Sequence, residues 1–207
     1  MARIIPLIDN EQTMLKGCLQ QNQDAQRQLF DKYQKKMLVV CCRYFNNEDD
    51  SLDVWNRAFL KIVEKIKQYK AEGSLDVWIR RITINTCLDV IRSQKTYKKN
   101  FIITDEFSLY GEPKDENNMD DWWDAATSIP ADDLFKLIKE LPPATCIVFN
   151  LYAIDGYTHQ LIADKLKIST GTSKWHLSNA RVILKEKVIQ LIEKKKFNHG
   201  TKEQKNY

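Results

Sequence analysis

Lys174, Trp175, His176, Asn179 and Arg181 fall within one short stretch of the chain, and together they form a set suited to touching nucleic acid. An asparagine amide offers both a donor and an acceptor to an adenine edge, while lysine and arginine neutralise phosphates and displace their counterions. A second set lies earlier. Arg81, Asn85, Asp89, Arg92 and Thr96 recur at spacings of 4, 4, 3 and 4, followed by Lys95, Lys98 and Lys99. That spacing makes one polar, basic stripe on a helix. Asp89 and Arg92 within it also read as a simple i,i+3 ion pair of about 0.2–0.5 kcal/mol. Tyr69 and Trp78 flank a glycine-containing loop beside this stripe, and aromatic rings next to cations are what unpaired bases stack on. Trp78 taken alone also reads as core. Catalysis has less support: His159 and Asp155 are close in sequence, but no glycine-rich phosphate loop, metal triad or nucleophile arrangement accompanies them.

The elements that must position the first set read as a helix-turn-helix between Gly156 and Lys185, GYTHQLIADKLKISTGTSKWHLSNARVILK. Thr158 and Ser169 each precede a helical run, where a hydroxyl can accept a backbone N–H left open at the helix start. Ile162, Leu166 and Ile168 supply apolar surface from the first helix and turn. Ser173, Leu177, Ala180 and Leu184 repeat at 4, 3 and 4 on the second and are expected to face inward. Ala163 is small where two helices must cross. Thr170, Lys174, Trp175, Ser178 and Asn179 are left on the outer face, which a helix-turn-helix lays in the major groove. A plain helical hairpin with a solvated charged side remains the alternative at this point.

The first hundred residues predict a short helix near Glu11–Gln20 and three longer ones. Asp24 is expected to cap a helix whose stripe is Leu29, Tyr33, Met37, Val40, Cys41 and Tyr44, ended by Asn46 and Asn47. The next, from about Asp49 to Gln68, carries Leu52, Trp55, Phe59, Ile62, Val63 and Ile66. Ser74 caps the last, which buries Leu75, Trp78, Ile79, Ile82, Thr86 and Val90. The fold class is therefore all-α.

Charge divides the chain. Residues 1–100 hold 18 Lys/Arg against 12 Asp/Glu, residues 134–207 hold 13 against 6, and residues 101–133 hold 1 against 10. A net charge of +4 thus conceals two basic helical domains, expected at 1–99 and 133–190, joined by a flexible acidic linker at 100–132. The remainder, 191–207, reads as a disordered basic tail. Five cysteines, Cys18, Cys41, Cys42, Cys87 and Cys146, show no CxxC pair and read as small hydrophobes in a reducing compartment. No run is long enough for a signal peptide or membrane span, so a soluble, cytoplasmic protein without cofactor is expected.

RYFNNEDDSLDVWNRAFLKIVEKIKQYKAEGSLDVWIRRITINTCLDVIRSQK, followed downstream by LPPATCIVFNLYAIDGYTHQLIADKLKISTGTSKWHLSNARVILKE, resembles the extracytoplasmic-function (group 4) sigma factors of bacterial RNA polymerase. The resemblance spans roughly residues 24–99 and 133–187. It implies a first domain (region 2, a three-to-four-helix bundle) that docks on the β′ clamp helices and opens the minus-10 element. A second domain (region 4, with the helix-turn-helix) would sit on the β flap and read the minus-35 element as duplex.

By resemblance, Asp53, Asn56, Arg57, Leu60 and Lys61 lie on the polymerase interface. Arg57 departs from the acidic residue usual there. Lys70, Ser74, Arg81, Asn85 and Arg92 fall on the minus-10 reader, whose loop receives a base swung out of the stack. Ser169, Thr170, Lys174, Trp175, Ser178, Asn179 and Arg181 fall on the minus-35 reader, Trp175 and Asn179 standing where relatives often carry smaller or basic side chains. Leu161 replaces the glutamate that closes a capping box with Thr158, at a cost of about 1 kcal/mol. The implied partners are core RNA polymerase, promoter DNA and, as is frequent in this class, an inhibitory anti-sigma factor, with no membrane insertion. The linker would thread polymerase channels, and Trp122 and Trp123 within it could equally pack on either domain. A stand-alone helix-turn-helix regulator with an N-terminal dimerisation or sensing domain is the competing reading.

Overall fold

The computed structural model describes residues 11–94 and 129–203, with side chains through residue 195. Every regular element among these residues is helical, and the chain divides into two compact units, Met1–Ser93 and Gln94–Tyr207. The bulk of the linker, with Trp122 and Trp123, and the cations Lys95, Lys98 and Lys99 lie outside the described residues.

The first unit contains α1 (Glu11–Leu19), α2 (Gln23–Cys42), α3 (Glu48–Lys65) and α4 (Leu75–Ser93). Asn22, not Asp24, caps α2: its Oδ1 accepts the Ala25 N–H at 3.0 Å, and Asp24 lies inside the first turn, where a carboxylate favours the helix dipole. α2 ends at Cys42, before the expected Asn46–Asn47 break, and Asn47 instead caps α3 by accepting the Asp49 N–H at 2.8 Å. α3 tightens into a 3-10 turn at Ile66–Gln68.

Leu29, Met37 and Cys41 from α2, Trp55, Ala58 and Ile62 from α3, and Ile79 and Cys87 from α4 are fully buried. Around Trp55 the rings of Phe30 and Phe59 stand 5.6 and 5.7 Å away, and Phe30 meets Phe59 edge-on at 4.9 Å. Leu52 is exposed, contrary to its place in the expected stripe, because the buried face of α3 centres on Ser51, Val54, Trp55, Ala58 and Ile62. α4 buries more than its expected stripe. Thr83, Ile84, Cys87, Leu88 and Ile91 are all inside, whereas Trp78, Ile82 and Val90 are half-buried. The reason is that α4 packs on both α2 and α3, so two faces are covered. All five cysteines are free thiols, Cys18, Cys41 and Cys87 being buried.

The second unit contains α5 (Ala131–Lys139), α6 (Pro143–Phe149) running into a π turn at Asn150–Ile154, α7 (His159–Leu166) and α8 (Thr170–Glu203). Ile147 and Leu151 are core, but Ile154 is 39% exposed. The wider π turn advances the helical register by one residue and rotates Ile154 outward. It also buries Asn150, whose Nδ2 donates to the Cys146 carbonyl at 3.0 Å. Gly156, at φ +72°, turns the chain toward α7 in a conformation open to glycine. α8 continues to Glu203, so the segment beyond 190 begins as helix, not as an irregular tail; its Lys, Gln and Glu residues are good helix formers. Lys195 pairs with Asp133 at 2.8 Å and Lys187 with Glu140, tying α8 to α5 and the turn after it.

Candidate nucleic-acid interface

The helix-turn-helix is α7 and α8. Thr158 Oγ1 accepts the Leu161 N–H at 3.3 Å, and Ser169 Oγ accepts the Thr172 N–H at 2.9 Å, so both expected caps form. Ser169 is thereby committed to the turn, its hydroxyl also 2.7 Å from Thr172 Oγ1. Between the helices Lys167 adopts a left-handed conformation, φ +54°, that a glycine would take without strain. Ile162, Ala163 and Leu166 of α7 pack with Leu177, Ala180 and Leu184 of α8, and this apolar seam fixes which side of α8 faces out. On that side Thr170 and Lys174 are exposed, and Trp175, Ser178, Asn179 and Arg181 are half-buried.

His176 does not belong to this face. It is fully buried, with Nδ1 3.0 Å from Thr145 Oγ1 of α6, three residues after buried Ser173 and four before buried Ala180. Helical spacing alone could have assigned it inward. His159, in the first turn of α7, is also engaged: its Nδ1 lies 3.0 Å from Ser173 Oγ, and its ring stacks on Tyr152 at 4.4 Å. Burial, then the charges of Lys174 and Arg181, lower the His159 pKa and keep the ring neutral. The recognition helix therefore rests on a polar layer of Thr145, Thr172, Ser173 and His176 beside its apolar seam.

In the first unit Asp53, Asn56, Leu60 and Lys61 repeat along one side of α3 together with Arg57. Leu60 is 64% exposed, a large apolar side chain in water at the centre of a polar stripe. Arg57 reaches back one turn to Asp53 at 2.9 Å, so the unexpected positive charge is met within the helix itself. Lys61 turns instead toward α4, its Nζ 3.0 Å from Asp89 Oδ2.

The loop into α4 is shaped before any ligand arrives. Tyr69 packs on Trp78 at 5.5 Å and donates its hydroxyl to the Gly73 carbonyl at 2.6 Å, closing the turn over exposed Lys70 and Glu72. Ala71 within it holds φ +55°, unfavourable for a residue with a Cβ. Ser74 Oγ accepts the Val77 N–H at 3.3 Å and starts α4. Along α4 Arg81 is exposed, Asn85 half-buried and Arg92 paired with Asp89, so Lys70, Ser74, Arg81, Asn85 and Arg92 run from the loop down a single helix. The sequence stripe did not disclose that Asp89 also engages Lys61, since that contact crosses between helices.

Two family models match this chain, sigma-70 region 2 over residues 29–97 and sigma-70 region 4 over residues 131–184. The chain belongs to the sigma-70 family. This sigma factor is similar to the ECF RNA polymerase sigma-E factor of Haemophilus influenzae, 22% identical over 184 residues that make up 88% of this chain and 97% of the relative. It is also similar to the ECF RNA polymerase sigma factor SigW of Bacillus subtilis, 25% identical over 174 residues, 82% of this chain and 92% of the relative. A co-crystal structure of the sigma factor RpoE with the anti-sigma factor NepR from Bartonella quintana aligns at 16% identity and a TM-score of 0.46, covering 79% of this chain and 96% of that one. As an extracytoplasmic-function sigma factor it directs RNA polymerase to promoters. The region 2 match occupies the helices that a stand-alone regulator would have used for dimerisation or sensing, so that reading is not favoured. Among the described residues no helix is long and apolar enough to cross a membrane.

Proposed function

We propose that the sigma factor divides promoter reading between its two units and holds both on polymerase through α3 and the early helices of the second unit. The exposed side of α3, Asp53, Asn56, Arg57, Leu60 and Lys61, docks on the β′ clamp helices, with Leu60 supplying the apolar centre and the polar residues its rim. The second unit rests on the β flap. Lys70, Ser74, Arg81, Asn85 and Arg92 receive the opened minus-10 element: the Tyr69–Trp78 cup takes an unstacked base and the helix tracks the strand. Ser169, Thr170, Lys174, Trp175, Ser178, Asn179 and Arg181 engage the minus-35 element in the major groove, Asn179 reading a base edge and Arg181 a phosphate. The protein works in the cytoplasm by binding alone, without a cofactor, and an anti-sigma factor restrains it.

The observation that best supports this division is one partly exposed asparagine on each of these helices close to cations, Asn85 four residues from Arg81 on α4 and Asn179 two from Arg181 on α8. Replacing Asn85 with Ala is expected to reduce open-complex formation while polymerase binding persists; equal losses in both remove it from the role. Combined replacement of Asn56, Leu60 and Lys61 with Ala should abolish capture of core polymerase in a pull-down, and retained capture contradicts the docking face.

A further inference from the structure

Asp89 is out of place on a surface that holds a nucleic-acid strand. It stands on α4 between Asn85 and Arg92, about half exposed, where a fixed negative charge repels phosphate. Both of its oxygens are engaged by cations from two helices. Oδ2 accepts from Lys61 Nζ of α3 at 3.0 Å, and Oδ1 accepts from Arg92 Nη2 of α4. Burial alone would raise its pKa, but the hydrogen bonds from Lys61 and Arg92 outweigh that and lower it, so the carboxylate stays charged throughout the neutral range. This ion network is a constant feature and not a pH switch.

We propose that Asp89 is an electrostatic brake on strand binding, occupying Arg92 and Lys61 so that the free chain offers fewer cations to a single-stranded nucleic acid than its sequence suggests. The inference rests on the assignment of the Arg81–Asn85–Arg92 face to the displaced strand. Exposed pairs of this kind are individually weak, so a phosphate presented in the right place can win Arg92 from the carboxylate. Polymerase supplies such placement and the free chain does not. Lys61 extends the brake to the docking side of α3, because a partner that engages Lys61 withdraws one of the two cations that keep Asp89 in place. Free sigma thereby discriminates against stray single strands without losing the arginine that the open complex uses.

The test uses the full chain without polymerase, a fluorescent single-stranded oligodeoxynucleotide of random sequence, and a series of salt concentrations. Asp89→Asn should tighten binding by about threefold to tenfold. Its salt dependence should steepen by about 0.7 in log–log slope, the value for one additional phosphate contact on a single strand. Arg92→Ala should weaken binding more in the Asp89→Asn background than in the native one, because only there is the arginine released from the carboxylate. Arg81→Ala serves as the reference for the face itself, and thermal melts of each variant confirm folding. Asp89→Ser, smaller and also uncharged, should repeat the tightening should the asparagine variant not fold. If Arg81→Ala weakens binding while neither Asp89 variant tightens it, the brake is wrong and the strand face stands. If Arg81→Ala has no effect, the strand face itself is wrong.

Discussion

The two helices assigned to DNA, α4 and α8, are seated differently. α4 rests on a largely apolar interior of Leu75, Ile79, Ile84, Cys87, Leu88 and Ile91, its buried Thr83 and Thr86 hydroxyls donate back to carbonyls of the same helix, and the ion network of Lys61, Asp89 and Arg92 lies at its surface. α8 rests partly on buried polar groups, with His176 against Thr145 and Ser173 against His159. An apolar seat is tolerant of small shifts and loses stability in proportion to what is removed. A polar seat is directional, since each buried partner that is deleted leaves the other with a lost bond in a medium where water cannot replace it. α4 is thus held by bulk packing and tuned by surface charge, whereas in α8 specific buried hydrogen bonds add to the apolar seam.

The largest expected effect breaks the apolar side of this comparison. Trp55→Ala removes a fully buried indole from the Phe30 and Phe59 cluster and should cost about 3–5 kcal/mol in urea unfolding of the first unit. Next comes the polar seat: Thr145→Val should cost about 1–3 kcal/mol by removing the bond to His176 Nδ1. The double variant Thr145→Val with His176→Leu should recover part of that loss, because replacing both partners with apolar groups removes the demand. If the single and double variants are equally damaged, directional bonding is not what holds α8. Gly17→Ala should cost about 1–3 kcal/mol, since the added Cβ would stand 2.5 Å from the Ala25 Cβ where α1 crosses α2.

pH sharpens the comparison further. The His159 pKa is lowered in the folded protein from its ordinary 6.5, so the unfolded chain binds the proton more readily. Stability of the second unit should therefore hold above pH 6.5 and decline as the pH falls from there through the folded value, while His159→Gln flattens the decline. Melting curves of the native protein and the His159→Gln variant across that range are the check. The smallest effect is a gain: Lys167→Gly relieves a left-handed backbone in the turn and should raise stability by about 0.5 kcal/mol, seen as a small rise in Tm.

Much of this architecture was legible in the residues, and the misses share physical causes. The caps at Thr158, Ser169 and Ser74, and the inward set Ser173, Leu177, Ala180 and Leu184, follow from local spacing and chemistry. Local spacing cannot show a second packed face, so the stripe along α4 omits Thr83, Ile84, Cys87, Leu88 and Ile91. It cannot foresee a π turn, which exposes Ile154 although its spacing from Ile147 and Leu151 is that of one helical face. α5 begins at Ala131 and carries Asp132 and Asp133 in its first turn, acidic residues that blend with the linker by composition although they favour a helix start. Histidine misleads for another reason: its polarity suggests surface, but a ring bonded to a buried hydroxyl can sit inside, as His176 does beside Thr145. The contacts of Asp89 with Lys61 and of His159 with Ser173 join residues 28 and 14 positions apart, beyond what periodicity along one helix contains.

Transcription reconstituted with bacterial core polymerase and this sigma factor, with start sites mapped across genomic DNA, tests the account most directly. The prediction is a set of discrete starts preceded by shared minus-35 and minus-10 sequences, with Asn179→Ala altering the upstream preference and Asn85→Ala lowering output at the same sites. Selective, tight binding of duplex sites by the chain alone, with no starts gained on adding polymerase, would contradict it.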